Sequence, residues 1–173
     1  GSAATLERMN RRYSPDDFRR VVFALKEAIP HVAITTDVMV GFPGETRQEF
    51  EESLAFCDEM GFLWAHVFKY SPRKGTPAAR FKDQVSPEEK EERSRAMIAL
   101  AEKNREAFYK RFIGTEQKVL IEQPVHGFPE LMEGLTDNYI PVEVPLDGAV
   151  IGEILPVRIE GIHGERMKGV LSH

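Results

Sequence analysis

The chain has 173 residues, 42% of them hydrophobic and 29% charged, with a formal net charge of −5. That suffices for one ordinary domain, or for a small domain plus part of a larger one, and no apolar run is long enough to cross a membrane. Its single cysteine excludes an internal disulfide framework and any cysteine-ligated iron–sulfur cluster built within the chain, and it fits a reducing cytosol.

Gly1 and Ser2 read as an expression scar, so residues 1–4 are set aside as scar and linker. Ser14-Pro15-Asp16-Asp17 is a helix start: serine caps, proline takes the first helical position, and the acids suit the positive end of the dipole. Phe18, Val21, Val22, Leu25 and Ile29 then recur at helical spacing until Pro30 stops the helix. Residues 32–40 follow as a strand whose nearly continuous apolar end predicts a parallel strand covered on both faces. It runs into Gly41-Phe42-Pro43-Gly44 and at once into a second helix, with Thr46 and Glu49 spaced as a capping box. Strand, glycine-rich turn and helix N-terminus in that order are how α/β enzymes bring bare backbone against a nucleotide.

The helix over 46–60 carries Phe50, Leu54, Cys57 and Met60 on one stripe, and Gly61 ends it. Residues 62–70 form a second strand. Helix, strand, helix, strand at these lengths means right-handed parallel βα units. The polar loop 71–76 lies at that strand's C-terminal end, where α/β barrels place their chemistry. Ser86-Pro87-Glu88-Glu89 opens a long helix to about Phe112, acidic at its start and basic at its end.

From Thr115 the character changes. Short β-branched runs at 118–122, 139–144, 151–159 and 167–171 are separated by turn residues, which suggests a small antiparallel barrel. Residues 1–112 carry a net charge of +1 and residues 113–173 a net of −6. RNA-binding modules are usually basic, so this asymmetry counts against the simplest RNA-binding reading.

Four segments together resemble the C-terminal half of the radical S-adenosylmethionine (SAM) methylthiotransferases: L-E-R-M-N-R-R-Y (6–13), T-T-D-V-M-V-G-F-P-G-E-T (35–46), H-V-F-K-Y-S-P-R-K-G-T-P-A-A (66–79) and G-L-T-D-N-Y (134–139). The resemblance is strongest to the enzymes that thiomethylate threonylcarbamoyladenosine beside the tRNA anticodon. Lys69 departs from the pattern, which has proline there. The fold class implied is α/β followed by all-β: residues 5–112 as the end of a partial (β/α) barrel, residues 113–173 as a TRAM-like β-barrel. The family's cluster-binding loop and N-terminal cluster domain have no counterpart here.

The resemblance implies that the parent enzyme uses SAM and two [4Fe-4S] clusters to place a methylthio group on adenine C2, through a 5′-deoxyadenosyl radical, a sulfur insertion and a second SAM as methyl donor. This chain would supply part of the SAM cradle and of the tRNA platform, no iron ligand, and no activity alone. Its implied partners are the anticodon stem-loop of tRNA and the missing N-terminal part of the same enzyme, in the cytoplasm and off the membrane. Two open parallel strands also predict self-association, or else a loosely ordered barrel part. The alternatives are an RNA- or protein-binding module without catalysis and an excised structural domain.

Each candidate residue has a plainer reading beside the functional one. Val40, Gly41 and Phe42 are a backbone edge for the SAM adenine, or a tight turn. Arg11 or Arg12 reaches the SAM carboxylate, or both form a solvated basic face. Tyr70, Ser71 and Arg73 stand at the barrel mouth, or are ordinary strand-end residues. His66 reads as a hydrogen-bonded core histidine, Asp37 as a buried carboxylate with a partner, and Cys57 as a small buried hydrophobe. Lys118, Asn138, Tyr139, Arg158, Arg166 and Lys168, with Phe128, meet RNA by stacking and phosphate contacts, or are core aromatics and scattered surface charge.

Overall fold

The computed structural model describes residues 1–172. The chain divides into two compact units, Gly1–Arg105 and Glu106 onward. The division falls within a helix, seven residues before the boundary expected from the sequence.

In the first unit α1 (Ala3–Arg8) precedes α2 (Pro15–Ala28), β1 (Thr35–Val40), α3 (Arg47–Met60), β2 (Trp64–Lys69), a 3-10 turn (Ala78–Arg80) and α4 (Pro87–Lys110). α1 begins within residues 1–4, set aside as scar and linker, and Ser2 at its head is buried, its N–H donating to Ser53 Oγ at 3.0 Å. The expected capping box of Thr46 with Glu49 forms on α3, the expected Ser14 cap on α2 closes into a box with Asp17, and Gly61 ends α3 in the left-handed region at φ 56°. Ser86 and Glu89 start α4 in the same way. β1 and β2 pair in parallel, Thr35 opposite Trp64 through Val40 opposite Lys69.

The core of this unit joins Val22, Val40, Phe50, Phe56, Cys57, Met60, Phe62 and Met97. It covers one face of the sheet only. Thr36, Val38 and Val40 face the core, whereas Thr35, Asp37 and Met39 are exposed, as are His66 and Phe68 opposite them. The expectation that β1 is covered on both faces is therefore corrected. So are two side chains: Asp37 is not a buried carboxylate and His66 is not a core histidine, because both stand on the uncovered face. α2 is corrected as well. Of its apolar stripe only Val22 is buried and Phe18 half-buried, while Val21, Leu25 and Ile29 remain exposed.

The second unit is a closed five-stranded barrel in the order β3-β4-β5-β7-β6, from β3 (Glu116–Val125), β4 (Phe128–Thr136), β5 (Pro141–Pro145), β6 (Ile154–His163) and β7 (Arg166–Leu171). Two corrections follow. β4 was not among the expected strands: Gly127-Phe128-Pro129 reads as a break, and the glutamates of F-P-E-L-M-E-G-L-T obscure its period of two. Yet Met132, Gly134 and Thr136 alternate inward. The barrel is not wholly antiparallel, since β5 and β7 pair in parallel through Val142 with Met167 and Glu143 with Lys168. Val119, Ile121, Ile140, Val142, Val144 and Val157 fill it, and Gly134 lies where a Cβ would run into the Leu120 carbonyl. The end of α4 packs on it through Phe108 and Tyr109, whose hydroxyl donates to the Glu165 carbonyl at 3.1 Å. Among the described residues no helix is long and apolar enough to cross a membrane.

Candidate functional site

β1 delivers its chain into the turn 41–45, and two left-handed glycines make the turn possible: Gly41 at φ 71° and Gly44 at φ 78°. A Cβ on Gly41 would collide with the Lys90 side chain, whereas one on Gly44 would meet the Arg8 side chain only at ordinary contact distance. Backbone hydrogen bonds hold the turn and the strand end before it. Gly44 N–H donates to the Asp83 carbonyl at 2.6 Å, Glu45 N–H to the Phe42 carbonyl at 2.9 Å, and Tyr70 N–H to the Val40 carbonyl at 2.9 Å.

Glu45, with only 3% of its side chain exposed, accepts from the Gly41 N–H at 3.0 Å and from Arg93 Nη1 at 2.7 Å. Arg93 Nη1 also donates to the Glu45 carbonyl at 3.0 Å. Four residues on, Arg8 binds Glu49 with both terminal nitrogens. This bond holds the Glu49 carboxyl below the usual carboxylate range, against the opposing effect of burial.

A cleft of about 310 Å³ runs beside β1, lined by Thr36 to Val40, Arg11, Tyr13, Phe18, Glu45 and Phe68 among others. Its size is at the low end of the ~300–1,000 Å³ typical of ligand pockets. Of the residues nominated for the cofactor, Arg11 and Val40 line it; Arg12, Gly41 and Phe42 do not. Arg11 and Arg12 are exposed, whereas Val40, Gly41 and Phe42 are buried. The lining combines apolar side chains with a guanidinium and two carboxylates, a donor set that fits an adenosyl amino acid. It does not fit a cluster. Among the described residues no three of His, Cys, Asp and Glu converge, and Cys57 is buried in the core, where burial pushes its thiol up.

At the C-terminal end of β2, beside the turn, Tyr70 is buried, edge-on to Phe42 with ring centroids 5.3 Å apart, and Lys90 Nζ lies 5.2 Å from its ring centre. Its hydroxyl is buried without a hydrogen-bond partner. Ser71 and Arg73 are exposed, and the Arg73 carbonyl closes a turn by accepting from the Thr76 N–H and hydroxyl.

The starts of β3, β5 and β7 and the ends of β4 and β6 form one end of the barrel. The β4–β5 turn there presents Tyr139, 75% exposed and held at φ 63°. That non-glycine conformation costs on the order of 1 kcal/mol. Thr136 fixes the turn: its hydroxyl bonds Asn138 Oδ1 at 2.6 Å and accepts from the Ile140 N–H at 2.9 Å. Lys118 is exposed near the start of β3 and Arg158 on the adjacent strand. Arg166 is bound to Glu133 at 2.7 Å, and Lys168 sits opposite Glu143. Phe128 is exposed at the barrel's opposite end. Neither aromatic is part of the core.

Sequence reasoning missed Arg8, Glu45, Lys90 and Arg93. One signal was available for Arg93: it shares a helical stripe with Met97 and Leu100, and an arginine on a buried stripe needs an anion.

The Radical SAM superfamily model matches residues 1–57. A tRNA-2-methylthio-N(6)-dimethylallyladenosine synthase of Oceanobacillus iheyensis is 37% identical over 99% of the chain and 33% of its own length. The synthase of the same name from Symbiobacterium thermophilum is 39% identical over 92% of the chain and 34% of its own length. The threonylcarbamoyladenosine tRNA methylthiotransferase MtaB of Bacillus subtilis is 42% identical over 92% and 36%. The chain spans about a third of the length of these relatives. The chain is thus similar over nearly its whole length to these tRNA-modifying enzymes, and over residues 1–57 to the radical SAM superfamily.

Proposed function

We propose that the chain is part of a radical SAM tRNA methylthiotransferase. Residues 1–105 are the closing segment of its (β/α) barrel, and the five-stranded barrel is a TRAM module that holds the anticodon stem-loop. The substrate is the threonylcarbamoyladenosine beside the anticodon, modified at C2. The observation that carries this reading is the bare face of the β1–β2 pair. In a parallel sheet with helices on one side only, the uncovered side is the inside of an incomplete barrel. Asp37, Met39, His66 and Phe68 stand on that side.

The cofactor, when bound with its cluster, supplies radical chemistry. This chain supplies surface: Arg11 a guanidinium for a carboxylate, Val40 and Met39 an apolar wall, Tyr139 a ring on which a base can stack. Tyr70, Ser71 and Arg73 border the mouth. The two clusters are held by the rest of the enzyme, and this chain alone is silent.

Anaerobic incubation with iron, sulfide, SAM and tRNA, followed by mass spectrometry of the nucleosides, tests this. The chain alone is expected to give no methylthiolated adenosine, and a cluster-bearing N-terminal segment added in trans is expected to restore it. Product from the chain alone overturns the silence. No binding between the two pieces overturns the proposed assembly.

A second reading, a module that binds RNA without catalysis, is favoured by the strained, exposed Tyr139. It requires affinity for the stem-loop that falls steeply with salt and survives in the barrel alone.

A further inference from the structure

Arg93 and Glu45 are both buried, at 8% and 3% side-chain exposure. A buried ion pair adds little net stability, because desolvation of two charges offsets their attraction. What such a pair does supply is one fixed arrangement. Here Arg93 Nη1 holds Glu45 twice, by its carboxylate at 2.7 Å and by its backbone carbonyl at 3.0 Å, so it fixes main chain and side chain together. Glu45 passes the constraint back to the Gly41 N–H at 3.0 Å, and its side chain lines the cleft beside β1. Arg93 itself does not line that cleft. It lies on α4, 48 residues along the chain, packed over the Phe50 ring at 5.7 Å.

We propose that Arg93 is a positioning residue: acting through Glu45, it holds the turn 41–45 in the one shape that meets the adenosyl ligand. This rests on reading the turn as part of the cofactor cradle. The Gly41 N–H is thereby committed to the protein, so the turn offers the ligand its shape and its remaining backbone, with that donor already used. α4 becomes part of the cradle without touching the ligand.

The test uses the whole chain and the variants Arg93→Met, Arg93→Lys and Glu45→Gln. Residue-resolved amide hydrogen exchange is expected to quicken at least tenfold at Gly41 and Gly44 in Arg93→Met and less than threefold at Met60 and Phe56. Arg93→Lys is expected to recover part of the protection. Unchanged exchange at Gly41, or equal quickening throughout α3, overturns the proposal, the latter by making Arg93 a general core residue. If Arg93→Met does not fold, Glu45→Gln keeps the volume, removes the charge and must loosen the same two amides.

Equilibrium dialysis with labelled SAM separates this from the reading beneath it. At least tenfold weaker binding in Arg93→Met, alongside the loosened turn, supports the proposal. Unchanged affinity with a loosened turn overturns the ligand role of Arg93. No binding by the unaltered chain, even when joined by the cluster-bearing N-terminal segment, removes the cradle reading and with it that role, while the exchange data still report on the turn.

Discussion

In the barrel, five β-branched side chains on three strands and Ile140 in the β4–β5 turn are wholly out of water, whereas β1 in the α/β unit buries one residue of its six. Both units are built from strands of similar apolar content. They differ in closure: a barrel covers its own interior, while a two-stranded parallel sheet covers only the face its helices reach. The exposed stripe of α2 says the same. Val21, Leu25 and Ile29 are spaced as an inward face, and Val21 is 60% exposed. The barrel thus covers its own inner strand faces, whereas the α/β unit leaves one strand face and a helix stripe exposed.

The sharpest way to break the comparison is to open the barrel. A Cβ on Gly134 would meet the Leu120 backbone and the Val119 side chain. Backbone cannot yield there without losing the β3–β4 pairing, so Gly134→Ala is expected to cost about 3 kcal/mol or more. Urea unfolding followed by amide signals of β3 and β4 would read this. A loss under 1 kcal/mol would mean the barrel is looser than its closure implies. In the α/β unit, Met60 is fully buried. Met60→Ala is expected to cost ~2–3 kcal/mol, the low end for a methionine, because a core open on one side relaxes into the gap.

How far these features were legible in the sequence follows the same division. Capping boxes and glycine stops are local, so Ser14, Thr46, Ser86 and Gly61 identified their helices directly. β4 was not legible, because its outward positions hold Pro129 and Glu133 and its closing contact needs a glycine, which reads as a break. The exposure of Asp37 and His66 was also beyond local pattern. An apolar strand says that its faces are suited to cover, not that the cover is present. For the site, the turn 41–45 was visible from its glycines, but the Arg93 contact spans 48 residues and no local signal encodes such pairing.

A smaller effect separates covered from uncovered apolar surface. Val21→Glu with Leu25→Glu is expected to change stability by no more than about 0.5 kcal/mol, since neither side chain is buried. The same pair should abolish concentration-dependent association of the chain in light scattering, if the α2 face drives it. Association that persists would point to the β1 edge instead.

A pH-dependent effect compares one ion pair from each unit. Arg8 holds the Glu49 carboxyl below its ordinary range, and the Gln123 amide, then Arg166, do the same for Glu133. A carboxyl depressed in the folded state stabilises above its unfolded value, about 4.3, and loses that contribution as pH falls through its folded value. Glu49→Gln keeps the capping-box geometry, which glutamine also satisfies, and removes only the charge. It is expected to cost ~1 kcal/mol at pH 7, given the partial exposure of Arg8, and progressively less below pH 4. Glu133→Gln should follow the same curve in the barrel. If Glu49→Gln instead costs as much at pH 3 as at pH 7, the carboxylate charge is not what ties α1 to α3, and Thr5 and the Arg8 stem hold that corner by packing alone.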